Sequence, residues 1–453
     1  MNKLTKKWQM TLYATSGMGV NMLNLMFTSY LCSALLVGGF GEAVLPFQTY
    51  IGRDLVVLGV WTALGFAAKV LDGIIDIPMA SFTDRLKTRF GRRRPAIVIG
   101  FVPMVIAYLL FLVIPVREAS MLNTVYYGII LCVFYSFYTL TMVTYYATFT
   151  EIVGLQEERS YISNVKSVCD ILYFILGYVV VRAMLNSINV RTVALIVLPL
   201  SLTMMIPLFM IKEQSTLGES APDAPKTVNL IKSLRYTFKN RDFIIWMIVY
   251  SFMTFGVQLF LGGINEFFSK VGMNMIIVMA CSFAPVPLTL LLYNKINRDR
   301  GFGFAFRYIL LTFTASMVSM YFIGNKVSDP GAKTVLSVVG GLLASFAIGA
   351  LFAVAYSVPA QLAADEEKKT GISNSAMYFA VQGLFSGIAS GIGANVVLNA
   401  LKGTEEAASN AIIYMTLVSA AGTAAAFALS FLLPRSVSMM GKKDRAVQDK
   451  KDK

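Results

Sequence analysis

Histidine is absent from all 453 residues. Its absence removes together the commonest proton shuttle, general base and metal ligand. Charge is scarce as well. Only 14% of the residues are charged and 56% are hydrophobic, with a mean hydropathy of +0.66, whereas soluble domains carry about 25% charge. A soluble globular domain is thereby excluded, and the chain reads as an all-α polytopic membrane protein. Four cysteines, Cys32, Cys132, Cys169 and Cys281, stand in apolar runs without metal-type or redox spacing, so they read as small packing residues. No Gly-x-Ser-x-Gly elbow, Cys/His metal cluster or P-loop occurs. These absences argue against an enzyme and against an ATP-driven pump on this chain. Nor does the N-terminus show a short apolar core with a small-residue cleavage site, and its apolar stretch reads as a retained first span.

What the chain does have is a net charge of +14. Most of its Lys and Arg fall in alternate loops and both tails, so the excess is a topology signal with some attraction to anionic membrane lipid. No nucleic-acid stripe remains. Apolar runs near residues 9–37, 54–82, 95–116, 121–150, 160–186, 190–211, 243–269, 273–293, 303–323, 334–363, 372–401 and 409–433 each reach the ~20 residues that a crossing helix needs. An even count with basic tails places both termini in the cytoplasm. The expected organisation is an N-terminal six-helix half over 1–211, a cytoplasmic linker over 212–242, a second half over 243–433 and a basic tail over 434–453. Within the linker, the stretch 229–239 has the pattern of a surface helix. Shifting the loop after span two by 210 residues lays Asp84, Arg85 and Gly91 on Asn294, Lys295 and Gly301. That echo fits two parallel repeats about an axis along the membrane normal. Gly383, Gly387 and Gly391, four apart in span eleven, have the spacing of close helix packing.

The most informative stretch runs from Lys69 to Pro95. Lys69, Asp72 and Asp76 sit inside an apolar run at spacings of three, four and seven, which puts all three on one helical face. An ionisable group at mid-membrane costs about 2.5 to 3.5 kcal/mol even on lenient insertion scales, so such a face must look into a bundle or an aqueous cavity. A structural ion-pair network remains the alternative to a functional site. Six Lys or Arg then follow between Arg85 and Pro95, the mark of a cytoplasmic loop.

The block Asp72-Gly73-Ile74-Ile75-Asp76, then Asp84-Arg85, then Arg89-Phe90-Gly91-Arg92-Arg93-Arg94-Pro95, resembles the glycoside-pentoside-hexuronide cation symporters. That is a branch of the major facilitator superfamily that includes the melibiose carriers. Gly17 and Gly19 before Asn21, Tyr138-Thr139, and Asp365 followed by Lys369-Thr370-Gly371 extend the resemblance along the chain. It implies a secondary transporter of the plasma membrane working by alternating access, with a cation site formed by Asp72, Asp76 and Thr139 and balanced by Lys69. Apart from the coupling ion, H+ or Na+, no cofactor is implied. The chain departs from the melibiose carriers where Ile75 replaces an asparagine between the two acids. One oxygen ligand is thereby lost, which shifts the expectation from Na+ toward H+. The sugar-binding acids of those carriers map onto Asn21 and Met142, a tryptophan maps onto Tyr146, and an arginine maps onto Lys166.

In place of the lost acids, Lys166 and Asp170 lie four apart on one face of span five. An intrahelical salt bridge and a substrate contact both remain open. Asn21, Tyr138, Tyr145 and Tyr146 offer hydroxyls and rings to a sugar, although tyrosines in apolar helices commonly only pack. The basic loop, as Asp84, Arg85, Arg92, Arg93 and Arg94 together with Asp365, reads as a cytoplasmic gate. The expectation is a monomeric, cation-coupled symporter of a sugar, glycoside or related small polar solute. A carrier of a lysolipid or other amphiphile in the same fold stands as the alternative.

Overall fold

The computed structural model describes residues 4, 6–40, 45–152, 156–217, 238–370, 375–405 and 410–442. Its described residues are almost wholly helical, apart from one isolated β-bridge between Val56 and Ser120. The chain divides into two compact units. One comprises Met1–Lys226 together with Lys402–Ser409, the other Thr227–Leu401 with Asn410–Lys453. Among the described residues nine helices are long and apolar enough to cross a membrane, and a bent pair makes a tenth.

In the first unit α1 (Lys7–Thr15) and α2 (Met18–Leu25) divide the expected first span at Ser16–Gly17. Then come α3 (Leu58–Arg85), α4 (Arg93–Phe111), α5 (Met121–Ile152), α6 (Gln156–Ile175) and α7 (Val190–Val197), the last continuing through a 3-10 stretch Leu198–Met205. Glycines set the close approaches. A Cβ on Gly100 would lie 2.9 Å from the Thr141 backbone nitrogen, so α4 and α5 meet almost backbone to backbone. A Cβ on Gly19 would overlap the Leu200 carbonyl, which seats α2 against the sixth span. The aromatic core is built around Phe27, stacked on Phe134 at 3.8 Å and tilted against Phe111 at 4.4 Å. Two single-turn π segments, Met26–Leu31 and Leu176–Val181, widen spans one and five where they touch. A π turn disturbs the regular backbone ladder. Here Tyr30 donates its hydroxyl hydrogen to the Gly177 carbonyl at 2.7 Å, and the Ser29 and Tyr178 hydroxyls meet at 3.2 Å.

The second unit contains α8 (Arg241–Gly262), α9 (Ile264–Val271), α10 (Met275–Phe283), α11 (Val286–Arg300), α12 (Phe302–Lys326), α13 (Pro330–Thr370), α14 (Ser375–Gly391) and α15 (Met415–Leu429). Its core centres on Trp246. The indole donates to Gln382 Oε1 at 2.8 Å, and its ring meets Tyr250, Phe302 and Phe306. Two spans differ from the uninterrupted helices expected of them. The seventh breaks at Gly263, where a Cβ would strike Met415 and Leu398. Its continuation α9 buries Glu266 in the first turn, where a carboxylate suits the positive end of the helix dipole. The eighth bends by 43° between Phe283 and Val286 and runs on to Arg300. Pro285 and Pro287 lack the N–H groups that a straight helix would use there.

The echo between the two basic loops extends to the backbone. Gly91 and Gly301 both have φ of +88°, a conformation that residues with a side chain rarely adopt. In the first unit the chain leaving the sixth span folds back over its glycine: Thr216 N–H donates to the Thr88 carbonyl at 3.0 Å, and a Cβ on Gly91 would run into Glu213. In the second unit the chain leaving α15 does the same, with Phe302 N–H donating to the Met440 carbonyl at 3.0 Å and Ser438 lying over Gly301. The surface helix expected over 229–239 lies largely outside the described residues.

Candidate functional site

Three spans of the first unit bring the sequence candidates together. On α3, Lys69 Nζ and Asp72 Oδ2 are 3.4 Å apart, with side chains 20% and 29% exposed. The ammonium also lies over the Tyr135 ring at 4.2 Å, a contact that stabilises a cation by the ring quadrupole. Thr139 Oγ1 on α5 donates to Asp72 Oδ1 at 3.5 Å, so the predicted hydroxyl and the first predicted carboxylate face each other. A further tie between the Thr83 and Thr144 hydroxyls, 3.1 Å apart, holds α3 and α5 together toward their C-terminal ends. Asp76, one turn beyond Asp72, is exposed. Among the described residues it has neither an ion-pair nor a hydrogen-bond partner.

One helical step around α5, the second group of candidates forms a polar and aromatic cluster. Tyr138 donates to Asn21 Oδ1 at 3.1 Å, and Asn21 is also the hydrogen-bond partner of Tyr146. Asn21 reaches this place because Gly17 and Gly19 let α2 lie directly on its neighbours; a Cβ on Gly17 would meet the Tyr145 ring. Lys166 and Asp170 pair across one turn of α6 at 2.5 Å, their side chains 29% and 33% exposed. Lys166 Nζ stands 5.0 Å from the Tyr146 ring centroid, which joins α6 to the cluster. Asn21, Tyr138, Tyr146, Lys166 and Asp170 therefore form one continuous group. Tyr145 has a different role. It is buried, stacks on Tyr13 at 5.5 Å and donates to the Tyr13 carbonyl at 2.7 Å, so it packs spans one and four together.

Two residues that the sequence reading passed over belong here. Tyr135 supplies the ring beneath Lys69, and Tyr173 lies among Asp170, Tyr138 and Tyr146. The available signal was spacing: Tyr135 is one turn before Thr139, and Tyr173 is three residues beyond Asp170. Of the gate candidates, the side chains of Asp84 and Arg85 lie outside the described residues. Arg93 and Arg94 begin α4, and their backbone N–H groups both donate to Glu213 Oε2, at 2.8 and 3.2 Å. The carboxylate thus satisfies two donors that a helix start leaves open. Arg92 is the residue before α4. Asp365, on α13, accepts from Gln361 Nε2 at 2.8 Å.

Paired charges beside hydroxyls and rings, in a chain of apolar helices long enough to cross a membrane, belong to a multi-pass membrane protein with a polar interior, and its family makes it a transporter. More particularly, the chain belongs to the MFS/sugar transport protein family, whose model matches residues 12–411. No curated protein matches the sequence. Solved structures with a similar fold include the nucleoside transporter NupG, at 15% identity and a TM-score of 0.59 over 94% of this chain and 98% of that one. A bacterial homologue of the human lysosomal transporter Spinster, in an inward-facing and unoccupied conformation, is similar at 12% identity and a TM-score of 0.59, over 95% of this chain and 97% of the other. A POT family transporter in complex with 5-aminolevulinic acid gives 12% identity and 0.56, over 95% and 96%. At these identities the likeness concerns the fold. The chain is a secondary transporter of the major facilitator superfamily.

Proposed function

We propose that the protein is a cation-coupled symporter of a sugar, a glycoside or a related small polar solute, working by alternating access. Asp72, Asp76 and Thr139 form its cation site, with Lys69 balancing Asp72. Asn21, Tyr138, Tyr146, Lys166 and Asp170 receive the solute, and Arg85 to Arg94 with Asp84 and Asp365 gate the cytoplasmic side. The family's description supports the sugar. Among the similar structures are a nucleoside transporter and a POT family transporter in complex with 5-aminolevulinic acid.

The observation that carries the reading is the charge balance on these helices. Lys69 neutralises Asp72 and Lys166 neutralises Asp170, while Asp76 has no partner among the described residues. A lone carboxylate in a membrane span is costly until it takes up a cation, so ion binding is favoured at Asp76. Tyr138 and Thr139 are neighbours on α5, one facing the solute group and the other facing Asp72. Occupancy of the two sites is coupled through that helix. No covalent chemistry is involved.

The test uses purified protein in vesicles. Asp76→Asn and Asp72→Asn are expected to abolish accumulation driven by an imposed pH or Na+ gradient while sugar binding or exchange persists. Uphill uptake at the wild-type rate in both variants would refute the assignment. Uptake of a labelled lysolipid in place of sugar would give the fold a different cargo.

A further inference from the structure

Arg307 stands where an apolar side chain is expected. It lies in the second turn of α12, and its neighbours one turn away on the same face, Phe304 and Leu311, are exposed large apolar residues, as is Phe322 three turns further on. The 3-10 turn after α15, Ser430–Leu432, adds the exposed Phe431 and Leu432. A face of this composition looks into the bilayer, where a guanidinium is costly unless it is anchored and reaches the polar boundary. Arg307 is anchored. Its Nε donates to Ser430 Oγ at 3.3 Å and its Nη2 to the Ser430 carbonyl at 3.1 Å, one of the acceptors left open at a helix end, and the guanidinium carbon lies 4.1 Å from the Phe431 ring centroid. A second cation repeats the arrangement: Arg300, the exposed last residue of α11, lies 4.5 Å from the Phe304 ring centroid. Since Phe304 is three residues before Arg307, the two guanidinium groups flank one turn of α12. Neither has an acidic partner among the described residues. Asp299, beside Arg300, is taken up by Arg298 at 3.7 Å, and Asp242 accepts from the Ser436 hydroxyl at 3.2 Å. The site described above uses none of these residues.

We propose that Arg307 and Arg300 hold the phosphate of an anionic phospholipid on the outer face of the second unit, with its acyl chains lying along Phe304, Leu311 and Phe431. The chemistry fits this occupant at both ends. Nη1 of Arg307 makes no hydrogen bond among the described residues and is left for a phosphate oxygen, which the planar guanidinium suits better than an ammonium would. The rings beneath the two cations are apolar surface at the depth where acyl chains begin. Two cations without an acid between them favour a head group of net negative charge, because the ammonium of a zwitterionic lipid would find no acceptor there. The general attraction of a basic chain to anionic lipid needs no particular residue. A site anchored on Ser430 does, and that is what separates the two.

The test offers the purified full chain equal amounts of phosphatidylglycerol and phosphatidylcholine with matched acyl chains, and counts the retained lipids by native mass spectrometry. The wild type is expected to retain one phosphatidylglycerol in preference to phosphatidylcholine by about 25-fold, about fivefold for each arginine. Arg307→Gln and Arg300→Gln should each lower the preference about fivefold. Arg307→Lys keeps the charge but loses the planar fork, and should fall between Arg307→Gln and the wild type. Lys326→Gln, at the far end of α12, should leave the preference unchanged. Arg300 bonds to no backbone group, so Arg300→Gln carries the test should Arg307→Gln fail to fold. Equal retention of the two lipids by the wild type, or a preference that survives both glutamine variants, would overturn the site. A preference lowered as much by Lys326→Gln would overturn it too, by reducing the effect to overall charge.

Discussion

Cutting the Lys166–Asp170 pair separates a structural bond from a substrate contact. At 2.5 Å the two charges are in contact, but each side chain is about a third exposed. An effective dielectric near 20 gives an attraction of a few kcal/mol at such range, and desolvation and screening reduce the net value to about 1 kcal/mol. Removing one partner does more than lose that attraction. It strands the other charge in a membrane span, and the 3–5 kcal/mol known for fully buried pairs falls to about 1–3 kcal/mol at this exposure. Lys166→Ala and Asp170→Ala should therefore each lower the melting temperature in detergent, and the double variant should recover most of it. Binding should not recover. If Asp170 also accepts from a solute hydroxyl, losing that acceptor costs about 1.5–3 kcal/mol, or about 10- to 100-fold in Kd. Asp170→Asn, which keeps one acceptor, should bind between the two extremes. The assay is sugar-induced stabilisation of each purified variant. A double variant that is as stable as wild type and binds sugar equally well would show the pair to be structural and refute the reasoning.

Thr139→Val removes the hydroxyl facing Asp72; uptake driven by a proton gradient should fall by no more than about threefold, whereas a sodium-driven carrier would lose a ligand and most of its uptake. Uptake under an imposed pH gradient without sodium is expected, because Ile75 brings no oxygen to the cation; uptake that appears only on adding Na+ would reverse the choice of ion. Gly91→Ala should destabilise by more than about 1 kcal/mol, since it adds a side chain at φ +88° against Glu213, while Gly59→Ala in α3, with open space around it, should be neutral or slightly stabilising. Thermal unfolding of the two variants side by side measures the difference.

Much of this architecture was legible in the sequence because a membrane imposes a simple code. Long apolar runs had to be helices, and charges inside them had to share faces. Helical spacing put Lys69, Asp72 and Asp76 on one face and Lys166 and Asp170 on another, and in the structure Lys69 pairs with Asp72 and Lys166 with Asp170. The breaks in the helices were not legible. Gly262-Gly263 lies in an apolar run like any other, and what leaves no room for a side chain at the break is the nearness of Met415 and Leu398, far along the chain. Nor does composition separate a tyrosine that packs from one that serves a site. Tyr145 and Tyr146 are adjacent, yet one is locked onto backbone carbonyls of the first span and the other stands beside Lys166. That difference arises from where Gly17 and Gly19 let α2 come to rest.

The fold-back over Gly91 and Gly301 also bears on the order in which the protein is made. The first basic loop needs nothing beyond Thr216, so it can close over its glycine before any of α8 has left the ribosome. The second needs Ser438 and Met440, and it stays open until almost all of its half has been synthesised. A chain stopped after α15 would carry every span of the second half and still lack the cover of Gly301. Such a product should carry its second basic loop uncovered, whereas the first would already be closed.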